Sequence, residues 1–289
     1  RGDARMSTRK VAAITGAGSG IGRALALACA REGMALALTD IEPGALAETA
    51  ALAVALGAPV ISQAGDVGKA QDVEAFALAC EAEYGGTDWL FNNAGVAILG
   101  PAWLATADDW QWLWHVNVMG VAHGVRSFVP RMLARGTPAH VVNTASAAGL
   151  ATLAGSSVYV ATKHAVVAFS ECLAHDLQQA GAAIGVSVLC PSLLPTGIHQ
   201  SGRNRPAGLD RTVPPAAAYE ERVRVGMAAS TIDAADVAAL TIEAIRQQCF
   251  YVIPHAHTGA SVERRMHRIL DDFRAQHLPT AEGGPTAQP

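Results

Sequence analysis

A short apolar run, Val11–Thr15, stops at Gly16. The segment Thr15-Gly16-Ala17-Gly18-Ser19-Gly20-Ile21-Gly22 then opens an Ala- and Leu-rich stretch that ends near Gly33. An apolar run without polar alternation marks a strand buried on both faces, as in parallel sheets covered by helices. Glycines let the backbone turn tightly and approach a ligand. The helix that follows offers free N–H groups and the positive end of its dipole to an anion. Placed between a strand and a helix, such a turn predicts a pyrophosphate-binding βα unit, with Gly16, Ser19, Gly20 and Ile21 facing the ligand.

The same strand–helix alternation continues along the chain. Further strands are predicted at Ala35–Asp40, Pro59–Gln63, Trp89–Phe91, Val141–Ala145, Ile184–Leu189 and Phe250–Ile253. Helices are predicted at Pro43–Leu56, Lys69–Tyr84, Thr106–Arg135, Val158–Ala180, Asp233–Gln248 and Gly259–Gln276. This order predicts a single α/β domain over residues 11–276, a doubly wound parallel sheet flanked by helices. With 51% hydrophobic residues in 289, the chain has ample material for one large core. Residues 1–10 read as a tail, with Arg1–Arg5 ahead of Met6 as an appended remnant, and 277–289 as a disordered Pro/Gly tail.

Ligands of doubly wound sheets bind beyond the carboxyl ends of the strands. Asp40 closes the second strand eighteen residues after Gly22, near the ~20 expected for the carboxylate on the adenosine ribose. Such a carboxylate accepts from a 2′-hydroxyl and repels a 2′-phosphate. Neither Ser19 nor Ile41 is basic, so NAD is expected over NADP. The alternative is that Asp40 caps the helix begun by Pro43. Asp66-Val67 lies at the exit of the third strand, where Asp66 either meets adenine or caps the following helix. Asn93, Ala94 and Gly95, after the fourth strand, suit a tight segment against a bound ligand.

Ser146 lies at the end of the fifth strand, and Tyr159 and Lys163 follow at i,i+4 on the next helix. That spacing puts phenol and ammonium on one face. A free Tyr titrates near ~10, and lowering this by ~3 units takes ~4 kcal/mol of differential interaction. A neighbouring cation acts in that direction, so Lys163 is expected to depress the pKa of Tyr159 and poise it for acid–base work. Ser146 is placed to hydrogen-bond the same substrate oxygen. Asn117, inside a predicted helix, is a poor helix former that either satisfies a local need or loosens the helix.

The chain resembles the short-chain dehydrogenase/reductase family over about Val11 to Ile253. The resemblance is carried by TGAGSGIG at Thr15–Gly22, NNAG at Asn92–Gly95, and the set Asn117, Ser146, Tyr159 and Lys163. It implies a seven-stranded Rossmann fold and hydride transfer between nicotinamide and an alcohol or ketone carbon. It further implies Tyr159 as acid–base, Lys163 on the nicotinamide ribose, Ser146 orienting the substrate, and Asn117 holding a water that links Lys163 to solvent. Pro191 and Thr196 fall where the family meets the nicotinamide. Pro191-Ser192 departs from the family's usual Pro-Gly. Residues 124–132 and 250–254 are similar to a bacterial subgroup that includes dehydrogenases of benzylic secondary alcohols. Family members are commonly tetramers paired through two long helices, so a homotetramer or homodimer is expected.

Residues 191–215 read as an irregular substrate loop. Leu99, Trp103, Leu150, Leu153, Leu193 and Leu194 suggest an apolar, roomy site for a small-molecule alcohol or ketone. Arg203, Arg205 and Arg211 are expected to be solvated, with anion binding as the alternative. His255 and His257 are expected on the surface, without a third metal ligand, and His199 lies in the loop. A net charge of −4 with scattered signs argues against nucleic acid. No apolar run reaches the length of a membrane span. Five dispersed cysteines argue against disulfides and for the cytoplasm. A second reading of the chain, from a different class, is a non-catalytic dinucleotide-binding scaffold.

Overall fold

The computed structural model describes residues 9–209 and 217–276. Strands β1 (Val11–Thr15), β2 (Ala35–Asp40), β3 (Val60–Ala64), β4 (Trp89–Asn92), β5 (Ala139–Thr144), β6 (Ile184–Leu189) and β7 (Tyr251–Val252) form one seven-stranded sheet. Its order is β3-β2-β1-β4-β5-β6-β7, and every pairing is parallel. The chain winds outward from β1 to β3, then returns to the other side of β1 as β4. The ends of β1 and β4 therefore diverge, which opens a crevice at that point of the sheet.

Strand periodicity divides the core in two. Ala12 and Ile14 of β1 and Leu36 and Leu38 of β2 face a cluster with Leu25, Cys29, Val237 and Ile242. These four lie on α1 (Gly20–Arg31) and α8 (Ala234–Arg246). Ala13 and Ala37, one residue along, face the opposite layer with Phe76, Phe128 and Leu173. Those belong to α3 (Ala70–Tyr84), α5 (Gly120–Arg135) and α6 (Ser157–Gln179). Burial of both faces explains why the strands read as unbroken apolar runs. Helix α2 (Pro43–Ala55) flanks the β2–β3 edge of the sheet.

Three features depart from the expected elements. The predicted helix 106–135 is divided into α4 (Ala107–Leu113), a π-helical segment Trp114–Met119, and α5. Asn117 sits in the π segment, where an inserted residue widens the turn. The loop after β6 holds a 3₁₀ stretch, Gly197–Asn204, and is followed by α7 (Ala217–Ala228), which the sequence pattern did not single out. The last helix, α9 (His257–Ala275), begins two residues earlier than expected. Arg211, residues 1–8 of the predicted tail 1–10, and the predicted tail 277–289 lie outside the described residues.

Candidate active site

Each predicted contact residue comes from the carboxyl end of a strand or from the element that follows it. The β1 turn is held by its neighbours. Asn93 Nδ2 donates to Thr15 O (3.1 Å) and Gly16 O (3.3 Å), and the N–H groups of Asn93 and Ala94 donate to Thr15 Oγ1. A Cβ on Gly16, which has φ +65°, would fall 2.7 Å from Ala94 Cα. Glycine is required here by both conformation and space. Ser19 N-caps α1 without a side-chain hydrogen bond, so the first N–H groups of that helix remain free for an anion. Asp40 Oδ2 accepts from Gly18 N–H (2.8 Å) and Oδ1 from Glu42 N–H (2.9 Å). Asp40 thus ties the turn to the exit of β2 and is not the N-cap of α2, which is Glu42. Asp66 Oδ1 accepts from Gly68 N–H at 2.9 Å, whereas the N-cap of α3 is Lys69.

The π segment puts Asn117 behind the cleft, fully buried. Its Oδ1 accepts from Val96 N–H (2.8 Å), and its Nδ2 donates to Val96 O (2.9 Å) and Thr162 Oγ1 (3.0 Å). Its side chain is therefore spent on fixing the strand that leaves β4 and the helix that bears Lys163. A Cβ on Gly95 would lie 3.3 Å from Lys163 Nζ and 3.4 Å from Asn117 Oδ1, so the two side chains converge on that glycine.

Helix α6 presents Tyr159 and Lys163 together. Lys163 is 2% exposed; its Nζ donates to Thr144 O at 2.9 Å and lies 5.7 Å from the centre of the Tyr159 ring. Ser146 accepts from Ala148 N–H (3.1 Å) and donates to Pro191 O (3.2 Å), which joins the ends of β5 and β6. Burial pushes the Tyr159 phenol up to about 12, and a hydrogen bond from the Ser146 side pulls against it. Burial also brings Lys163 down to about 8. The expected depression of the phenol by Lys163 is therefore corrected: desolvation dominates, and the ammonium is engaged by the Thr144 carbonyl.

Gly16, Ser19, Gly20, Ile21, Asp40, Asp66, Val67, Asn93, Ala94, Gly95, Ser146, Tyr159, Lys163, Pro191 and Thr196 all line one cavity of about 960 Å³. Leu99, Leu153, Leu193, Leu194 and His199 line it as well. Trp103 does not: it is 84% exposed on a short 3₁₀ turn. Leu150 packs instead beside Val166 and Val167. A turn with uncapped N–H groups, a carboxylate at the adjoining strand end and a buried lysine beyond fit a dinucleotide that carries a pyrophosphate between two riboses.

The loop after β6 spans this cleft. Within it Arg203 pairs with Glu42 (2.7 Å), and Asn204 Nδ2 donates to the same Oε1 (2.8 Å). Chiefly through the Arg203 hydrogen bond, Glu42 is held below the usual carboxylate range. Two residues on, Arg205 pairs with Asp109 at 2.6 Å, the two side chains 6% and 1% exposed, and stacks 5.3 Å over Trp112. Neither arginine is simply solvated, contrary to the sequence expectation. Of the two histidines after β7, His257 is exposed as expected, and His255 needs correction. His255 is 4% exposed and its Nδ1 accepts from Ser192 N–H (3.1 Å), while His257 Nε2 is hydrogen-bonded to Ser192 Oγ (3.0 Å). Asp109, Trp112, Met227, His257 and Thr258 were not foreseen as cavity residues. Only the i,i+3 capping box Thr106/Asp109 carried a local signal for one of them.

The short chain dehydrogenase family matches residues 10–207. A short-chain dehydrogenase/reductase from Burkholderia phymatum, crystallised with NAD, is 44% identical with a TM-score of 0.88, covering 96% of this chain and 98% of that one. The CLA biosynthesis dehydrogenase/reductase of Lactiplantibacillus plantarum is 32% identical over 268 residues, 91% of this chain and 94% of the relative. The 1-deoxy-11-beta-hydroxypentalenate dehydrogenase of Streptomyces arenae is 35% identical over 285 residues, 96% and 92% of the two chains. Family match, seven-stranded topology and the dinucleotide cleft agree: this chain belongs to the short-chain dehydrogenases, oxidoreductases of the NAD(P)-binding Rossmann fold.

Proposed function

We propose that the protein is an NAD-preferring dehydrogenase or reductase of a bulky, apolar or aromatic secondary alcohol/ketone pair. The observation that carries this reading is the meeting of Ser146, Tyr159 and Lys163 in the wall of a cavity that begins at the glycine turn. The bound nicotinamide supplies or accepts the hydride. In the reductive direction Tyr159 gives its phenolic proton to the carbonyl oxygen as hydride reaches the carbon, and in the oxidative direction it takes that proton back. A phenol raised to about 12 is protonated at neutral pH, which favours its use as a proton donor. Ser146 orients the substrate oxygen, and Lys163 holds the nicotinamide ribose and offsets charge that develops on the phenol. Asn117 positions Lys163 through Val96 and Thr162.

Asp40 supports the choice of NAD, since a 2′-phosphate would meet a carboxylate already fixed by two N–H groups. The apolar side of the cavity includes Ile98, Leu99, Trp112, Leu193 and Met227, which suits a large hydrocarbon body. The names of the two relatives, from CLA biosynthesis and pentalenate chemistry, agree with substrates of that kind. Pairing through the long helices α5 and α6 in a homodimer or homotetramer is part of the same reading. So is a cytoplasmic location, which the five free thiols favour. No described helix is long and apolar enough to cross a membrane.

The test is steady-state kinetics on a panel of aryl and alicyclic secondary alcohols with NAD and NADP. Turnover with a higher kcat/KM for NAD is expected. Tight NADH binding without turnover of any alcohol or ketone would favour the non-catalytic scaffold.

A further inference from the structure

Helix α9 is nineteen residues long, and only Thr258, in its first turn, is buried. A helix of that length is marginal in water unless one of its faces is packed. Its apolar residues show which face that is. Val262, Met266, Ile269 and Phe273 follow one another in steps of four, three and four. These are the d and a positions of a heptad, so the four side chains form one seam, with Leu270 beside it. Met266, Ile269, Leu270 and Phe273 are 45% to 63% exposed. A stripe this narrow suits one neighbouring helix better than a broad core.

The charges along the seam indicate which helix. Arg265 and Asp272 flank it on the same side, one heptad apart, at the two g positions. Neither has an ion-pair partner among the described residues, whereas Asp271, at the outer f position, is paired with Arg274 at 3.2 Å. In an antiparallel helix pair, g positions face g positions, and charges there set the choice and orientation of the partner. A second α9 laid antiparallel brings Arg265 against the partner's Asp272, and symmetry repeats the contact. The same register sets Val262 against the partner's Phe273 and Met266 against the partner's Ile269, so every layer of the seam is filled. A parallel pair would place Arg265 against the partner's Leu270 and form neither ion pair. One surface that complements itself in this way is what a two-fold interface requires.

We propose that α9 is a pairing helix that docks antiparallel on α9 of a second copy of this chain. The interface uses neither α5 nor α6 and is independent of the hydride chemistry.

Sedimentation equilibrium of the NADH-bound protein at low salt tests this. Ile269→Glu puts a carboxylate into the seam and should raise the dissociation constant about ten-fold or more. The assembly mass then halves whether or not a second interface holds the remaining copies together. Arg265→Asp and Asp272→Arg each set like charges against one another and should each weaken association about three-fold. The double variant Arg265→Asp/Asp272→Arg exchanges the charges and should recover to within about two-fold of the unmodified protein. NADH titration of each variant reports an intact fold. The proposal is overturned if Ile269→Glu leaves the dissociation constant unchanged, if either charge reversal alone has no effect, or if the double variant does not recover. Binding to phosphatidylserine vesicles that Ile269→Glu abolishes, with no change in assembly mass, would also overturn it and assign the stripe to a lipid surface.

Discussion

Lys163 donates its hydrogen bond to the carbonyl of Thr144, 2.9 Å away, while its Nζ stays 5.7 Å from the centre of the Tyr159 ring. The lysine is therefore anchored to the end of β5 and faces the phenol from a fixed position. Its influence on Tyr159 is that of a placed charge and not of a direct bond, and burial opposes ionisation of both groups.

This arrangement fixes the pH dependence. Lys163, brought down to about 8, is charged below that pH and neutral above it. Tyr159, pushed up to about 12, stays protonated throughout. Ketone reduction needs the phenol protonated and the lysine charged, so its kcat/KM should be level near neutrality and fall as pH rises through about 8. Alcohol oxidation needs the phenolate and should climb with pH over the same range. Paired pH profiles in the two directions check this, and a reduction rate that rises with pH would contradict it.

In the proposed reading Asp40 sets the cofactor preference; in the structure it holds Gly18 and Glu42 by their N–H groups. Alanine would remove both roles at once. Asp40→Asn keeps an acceptor and removes the charge, so it should raise the ratio of NADP to NAD efficiency roughly ten-fold, about 1.4 kcal/mol. An unchanged ratio would remove Asp40 from that role.

The loop across the cleft is fastened through two neighbouring arginines, Arg203 and Arg205, and the fastenings differ in kind. The pair Arg203–Glu42 is about one-third exposed, whereas Arg205–Asp109 is buried. Loss of one partner of a buried pair costs about 3–5 kcal/mol. Arg205→Met should therefore lower unfolding stability by about 3 kcal/mol. Glu42→Ala should cost under about 1 kcal/mol and speed NADH release several-fold. Denaturant melts and stopped-flow displacement measure the two effects. Equal stability losses would contradict the distinction.

His140 makes the fold sensitive to acid. It is 2% exposed, and its Nε2 donates to Ser187 Oγ, whose own proton goes to Cys249 O. Its Nδ1 has no partner, and burial lowers its pKa from 6.5 to about 4. The unfolded chain takes up a proton below about 6.5 that the native chain refuses until about 4. Stability is thus complete above 6.5 and declines as pH falls, by ~3 kcal/mol over that span. In His140→Leu the decline should be shallower by that amount. An identical slope in the two proteins would contradict the assignment.

Much of this was legible in the sequence because local patterns carried it. Strand β1, the glycine turn and α1 are consecutive, and Tyr159 and Lys163 are one helical turn apart. The sequence reading also marked Asn117 as a helix-weakening residue, and the π segment lies there. What escaped depends on contacts between distant residues. Glu42 meets Arg203 across 161 positions, and Asp109 meets Arg205 across 96. No periodicity reports such pairs. His255 read as a surface residue because β7 is only two residues long, and its burial beside Ser192 is a tertiary fact. Trp103 misled by its size: apolar character alone did not say that its turn faces solvent.

The central claim is that Tyr159 exchanges the proton while the nicotinamide exchanges the hydride. Tyr159→Phe removes one oxygen and leaves the shape of the wall. Single-turnover reduction of a ketone by the enzyme–NADH complex measures it most directly. The account predicts a loss of at least about 10³-fold in rate, about 4 kcal/mol, with NADH affinity within about three-fold of the unmodified protein. A rate within ten-fold of the original, with NADH still bound, would contradict it.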